Sequence, residues 1–167
     1  MNIIPYEPPM RQAALDLALR AWGPVFPQLK TAVPGFVYGA FYPEEWQKRQ
    51  LSDLGQILDN EPHTVDVAML QGQNGSEKPQ LAGWVCTRIH PEDSMGEVYI
   101  LAVDPQFQRR GIGHALMNHS HDRARAAGMT MMMVETGGDP GHAPARHTYE
   151  AAGYQRWPVA RYFKNLQ

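Results

Sequence analysis

The 167-residue chain has 43% hydrophobic and 19% charged residues and a formal charge of −2, which excludes a disordered polyelectrolyte and gives no basis for binding nucleic acid or an anionic membrane. That length can bury a core of its own and reads as one domain, 1–167. With one cysteine there is no internal disulfide. MNIIPYEPPM has neither the basic nor the apolar part of a leader, no window spans a membrane, and the expected location is therefore the cytoplasm.

Asn2 to Glu7 reads as a short strand closed by Pro8-Pro9, and Met10 to Trp22 as a helix with Ala14, Leu17, Ala18 and Ala21 on one side. Residues 23–43 hold four prolines and five rings (Phe26, Phe36, Tyr38, Phe41, Tyr42) without a sustained period, and read as a loop. Its rings suit a pocket for an amine, a hydrophobic minicore or a homodimer contact. Pro43-Glu44-Glu45 opens a second helix, with proline first and acids where the dipole favours them, running through Leu51, Leu54, Ile57 and Leu58 to Asn60. His63 to Leu70 and Leu81 to His90 are expected as antiparallel strands around a polar hairpin loop, Gly72 to Pro79. Cys86, beside Trp84 and Val85, reads as a small core residue on the second of these.

The stretch from Gly96 to Gly128 organises the rest. Glu97 to Val103 is a β-branched and aromatic run that Asp104-Pro105 ends, since proline brings no N–H to a ladder. Gln108-Arg-Arg-Gly111-Ile-Gly113 then turns into a helix with Ile112, Ala115, Leu116, Ala124 and Ala127 inward, stopped by Gly128. The first N–H groups of a helix lack partners and carry the positive end of its dipole, so a glycine-lined start lets a phosphate reach bare backbone, and Arg109 and Arg110 add charge. Neither a Walker lysine nor GxGxxG is present, which disfavours a nucleotide-binding reading. Met129 to Thr136 is expected as a strand beside Glu97–Val103, His142 to Ala152 as a helix closed by Gly153, and Val159 to Lys164 as a final strand. The order β-α-α-β-β-β-α-β-α-β makes an α/β fold, a mixed sheet with helices on its faces.

Val103-Asp-Pro105, Gln108-x-x-Gly111-x-Gly113 and the following helix resemble the acyl-CoA pyrophosphate loop of the GNAT superfamily of N-acetyltransferases. Ala145-Arg-His-Thr-Tyr149-Glu-Ala-Ala-Gly153-Tyr154 resembles the later motif of that family, and the likeness runs from Leu81 to Leu166. Its last part, Glu135 to Leu166, is similar to a bacterial subgroup. The resemblance implies a mostly antiparallel sheet and acetyl-CoA as co-substrate. It also implies a cofactor site made of Gln108, Arg109, Arg110, Gly111, Ile112, Gly113 and His114, with the backbone of Leu101, Ala102 and Val103 taking the pantetheine arm and the thioester carbonyl.

Acetyl transfer to an amine needs a base, because an alkylammonium near pKa ~10 has no lone pair at neutral pH, together with donors for the oxyanion and a hydrogen bond or proton for the thiolate. By resemblance Glu97 is the general base, acting directly or through water; the other reading pairs it with an arginine or turns it to solvent. Tyr149 falls where the family places a tyrosine at the CoA sulfur, as general acid; otherwise it is a buried ring. Phenol (~10) to thiolate (~8.5) is uphill by about 2 kcal/mol, so hydrogen bonding is its main expected contribution. The family's asparagine seven residues earlier is replaced by His142, a donor to the pantetheine arm, a second base or an ordinary helix-start residue. No metal site is expected, since His119 and His121 diverge on a helix and no other ligand stands at a fitting interval. The acceptor expected is a small-molecule amine. A peptide or protein amine, or a non-catalytic acyl-CoA-binding module lacking any need for Glu97 and Tyr149 together, are the alternatives.

Overall fold

The apolar positions of the central strands feed two cores, one on each face of a single sheet. The computed structural model describes residues 1–71 and 79–167, so residues 72–78 of the expected hairpin loop lie outside the described residues. β1 (Asn2–Pro5), β2 (Val65–Leu70), β3 (Gln80–His90), β4 (Met95–Val103) and β5 (Met131–Val134) lie side by side in chain order. All neighbours are antiparallel except β4 and β5. Those two are joined by α5 (Ile112–Ala126), as a parallel connection requires a crossover element. The remaining helices are α1 (Arg11–Trp22), α2 (Val25–Ala32), α3 (Gly35–Phe41), α4 (Trp46–Asn60) and α6 (Ala143–Ala151).

On one face, Ala14, Leu17 and Ala18 of α1 and Leu54, Ile57 and Leu58 of α4 pack on Val65, Val67, Trp84, Cys86 and Ala102. Trp84 is fully buried there, and its indole N–H donates to the Ala14 carbonyl at 3.1 Å, so no donor is orphaned. Cys86 is a buried core thiol against the Thr64 hydroxyl, and burial pushes it up. On the other face, Ile112 and Leu116 of α5 pack on Ala68, Ala82, Val85 and Val98. α5 also buries Met117, Ser120 and Ala124, whereas Ala127, expected inward, is exposed.

Three further expectations change. α4 begins at Trp46 with Glu45 at its N-cap and no acid in its first turn, so Pro43 and Glu44 precede the helix rather than open it. Residues 23–43 contain α2 and α3, because Pro24 and Pro34 stand at the N-caps and Pro27 in a first turn whose N–H groups need no partner; these prolines start helices rather than break them. Val159 to Lys164 forms no strand, and Trp157, Val159, Tyr162 and Leu166 are exposed. Its residues pair with no strand among the described residues, and an alternating pattern alone supplies no ladder. The observed order is therefore β-α-α-α-α-β-β-β-α-β-α among the described residues. None of their helices is long and apolar enough to cross a membrane.

Candidate active site

β4 changes its neighbours halfway along. Its parallel pairing with β5 covers only Met95–Val98, while β3 follows it to Val103. The change coincides with a bulge: Cys86 pairs with Ile100 and Thr87 with Val98, leaving Tyr99 as the extra residue. The Asp104 N–H donates to the Ala82 carbonyl at 2.9 Å. Because successive N–H groups alternate sides, that of Ala102 also points to β3, and those of Leu101 and Val103 point to the side β5 has left. On that side the Gln108 carboxamide donates to the Val103 carbonyl at 3.1 Å, tying the strand end to the turn.

The turn is fixed from below. Asp104, 2% exposed, accepts from Arg20 Nη2 at 2.6 Å and from the Gln106 N–H at 3.1 Å. Arg109 and Gly111 both adopt the left-handed conformation, φ 60° and 79°, before α5 begins at Ile112. A Cβ on Gly111 would meet nothing within 4 Å, and no side chain caps this helix start. Gln108, Arg109, Arg110, Gly111 and His114 are exposed, while Ile112 anchors the helix in the core. Open backbone, unpaired amides and two cations fit a pyrophosphate.

Glu97 lies opposite Arg88 on the face of the sheet that α1 and α4 cover. Arg88 does not pair with it: its guanidinium makes a two-pronged bond to Glu61 at 2.8 and 2.9 Å and lies 3.5 Å from the centre of the Tyr99 ring. Glu97 is instead bonded to His90, Nε2 to Oε2, at 2.8 Å. The reading that paired Glu97 with an arginine is replaced by a histidine two residues along β3. A cavity of about 240 Å³ lies at Arg88 and Tyr99, lined also by Asp53, Gln56, Asn60 and Glu61. A larger one, about 360 Å³, is lined by Arg20, Asp104 and Phe107. Asp104 is seven residues beyond Glu97, roughly 20 Å along a strand, so the larger cavity is remote from that carboxylate.

Tyr149 lies on α6, edge-on to Tyr154 with 6.1 Å between centroids, and burial raises its pKa. Burial, with Tyr149 beside it, pushes Tyr154 up to about 12, and its hydroxyl is 2.8 Å from His121 Nε2. Among the described residues no hydrogen bond joins Tyr149 to Glu97. His142 Nδ1 is 2.5 Å from Asp139, and His119 meets Asp66, so these histidines serve separate contacts. The rings of 23–46 pack on one another: Phe26 stacks on Trp46 at 4.1 Å, Tyr42 meets Phe26 edge-on, and Arg49 covers Phe41 and Tyr42. The sequence reading missed His90, Arg88 and Glu61. The β3–β4 register sets Arg88 and His90 beside Glu97, and Glu61, just past the end of α4, reaches the group only through Arg88.

A sheet that parts beside a bare helix start has the shape and free donors that suit an extended, phosphate-bearing chain. The model of the Acetyltransferase (GNAT) family matches residues 36–154, and the chain belongs to that family. Mycothiol acetyltransferase of Rhodococcus opacus (strain B4) is 29% identical over 124 residues, 71% of this chain but 39% of that protein, so the match spans about two fifths of that relative. Among solved structures, an aminoglycoside N-acetyltransferase in complex with CoA has a TM-score of 0.60 at 14% identity, covering 99% of this chain and 95% of the other. The ribosomal-protein-S18-alanine N-acetyltransferase of Escherichia coli has a TM-score of 0.57 at 23% identity, covering 99% and 84%. At these identities the likeness is one of fold.

Proposed function

We propose that the chain transfers the acetyl group of acetyl-CoA to the amine of a small molecule. The observation that carries this reading is the run of unpaired strand amides leading into an uncapped, glycine-lined helix start. The turn from Gln108 to His114 holds the pyrophosphate. The backbone of Leu101 to Val103 takes the pantetheine arm and, at the thioester carbonyl, donates to the charge that develops on oxygen. His142, with Nδ1 engaged by Asp139, has its other ring nitrogen for the arm.

Glu97 accepts the proton of the attacking amine. Leu101 is four residues away, about 13 Å along the strand, which leaves room for the amine and one water between carboxylate and thioester. As the C–S bond breaks, the Tyr149 hydroxyl hydrogen-bonds the leaving thiolate. Burial holds that phenol protonated at neutral pH, which suits donation without full transfer. The cavity beside Arg88 and Tyr99 receives the acceptor. At about 240 Å³ it sits just under the usual range for small-molecule sites, ~300 Å³ and upward, and is small for a folded protein surface.

The test follows free CoA released from acetyl-CoA with a panel of aminoglycosides, mycothiol-related amines and N-terminal peptides. Glu97→Gln should keep its melting temperature and CoA affinity and lose about 10²–10⁴-fold in kcat; unchanged, pH-dependent turnover ends the base assignment. Tyr149→Phe should lower kcat while leaving stability in place, and unchanged turnover removes the acid role. Tight acetyl-CoA binding with no acceptor turned over favours the non-catalytic module.

A further inference from the structure

His90 closes β3 on the same face as Glu97, and the two side chains, 30% and 13% exposed, meet at 2.8 Å through Nε2 and Oε2. Nothing else among the described residues hydrogen-bonds the Glu97 carboxylate, because the nearest cation, Arg88, is held by both oxygens of Glu61. The other charged group facing the imidazole is Glu92, from the turn after β3, with Oε1 3.7 Å from Nδ1. A carboxylate accepts only, so the proton of this short contact sits on Nε2 when Glu97 is ionised. That bond occupies Oε2 and leaves Oε1 as the oxygen that can reach an amine or its bridging water.

We propose that His90 is the positioning residue of the transfer site: its Nε2–H fixes the Glu97 carboxylate for proton uptake, and its protonation at low pH weakens that base. The inference rests on the reading of Glu97 as base. In the step it governs, the ammonium N–H bond breaks and an O–H bond forms at Oε1 of Glu97, while Nε2 keeps its own proton throughout. A second proton on the imidazole, at Nδ1 facing Glu92, puts a positive charge against Glu97 and makes the carboxylate a poorer acceptor.

The experiment compares His90→Ala and His90→Gln with Glu97→Gln, using the amine from the panel that releases CoA fastest, and checks folding by melting temperature and acetyl-CoA affinity by calorimetry. His90→Ala should lower kcat by 10-fold or more with KM for acetyl-CoA unchanged. His90→Gln keeps an N–H donor, so it should recover kcat to within about 3-fold at pH 8. It should also move the acid limb of kcat/KM to lower pH, because glutamine cannot take up the second proton that an imidazole can. Wild-type kcat in His90→Ala, or an acid limb unmoved in His90→Gln, overturns the inference while an impaired Glu97→Gln leaves the base assignment standing. Unimpaired Glu97→Gln removes both. If His90→Ala does not fold, the acid limb of His90→Gln decides alone.

Discussion

The two halves of β4 share a strand and differ in almost everything else. Met95–Val98 has a strand on each side and α5 above, close enough that a Cβ on Gly96 would lie 2.6 Å from that of Ala124. Tyr99–Val103 keeps β3 alone, with Ala102 buried in the α1–α4 core while its other edge is open. The comparison shows how free backbone donors are held still. They sit on a strand whose opposite edge and one face are fully satisfied, not on a loop, so their direction is set before any ligand arrives.

Proline at neighbouring positions of the open half breaks the comparison most sharply. Both Leu101→Pro and Ala102→Pro impose the same φ, but the N–H lost at 101 faces the open side, whereas the N–H lost at 102 belongs to the β3 ladder. Leu101→Pro should lose about 100-fold or more in CoA release, the scale of a missing oxyanion donor. Ala102→Pro should orphan a buried carbonyl and lose roughly 1–3 kcal/mol or more of stability besides. Equal melting temperatures, or equal loss of turnover in two folded proteins, would contradict the assignment of sides.

Two glycines contrast the anchored half with the turn it feeds. Gly96→Ala drives a methyl against Ala124 and the Met132 sulfur, contacts of 2.6 and 2.5 Å, and should cost about 1–3 kcal/mol, read as a lower melting temperature with acetyl-CoA affinity kept in the folded fraction. Gly111→Ala has space but must hold φ at 79°, at a cost of about 1 kcal/mol. Its methyl stands where a phosphate would approach, so KM for acetyl-CoA should rise about 10-fold with kcat kept. The reverse pattern, with affinity lost at 96 and kept at 111, would move the phosphate site elsewhere.

How far the sequence could be read follows the same division. Gly96 to Gly128 was legible because each of its signals is local: a β-branched run, a proline stop, a glycine-lined helix start and an apolar face at helical spacing. The antiparallel β2–β3 pair and the place of β5 beside β4 follow from the same local signals, and a mixed, mostly antiparallel sheet is what the family resemblance implies; that β4 and β5 run parallel shows only in the structure. Residues 23–43 were not legible, since a proline that opens a helix and one that ends it look alike until the residues after it are placed. Val159 to Lys164 failed for the opposite reason: alternation describes a strand only if an edge accepts it. The Arg88–Glu61 contact is long-range, with 27 residues between the two, and although His90 is only seven residues from Glu97, the bulged β3–β4 register sets which residues of β4 Arg88 and His90 face. Asp104 reads in the sequence only as the end of a strand, and nothing local reveals that Arg20, 84 residues earlier, holds it.

The smallest expected effect concerns the contact between α5 and the residues after α6, where His121 meets Tyr154. Tyr154 is pushed up to about 12 by burial and by Tyr149, which burial also raises. A phenol in the unfolded chain loses its proton near ~10, before the folded one does, so above that pH the unfolded state binds fewer protons and stability falls as pH rises. Below it, this group leaves stability flat. Tyr154→Phe removes the titrating group, so the stability difference between wild type and variant, read from urea midpoints at pH 9, 10, 11 and 11.5, should shrink or reverse above pH 10. Parallel curves would mean that the phenol is solvated in the folded protein, and that α6 is held to α5 by something other than this buried pair.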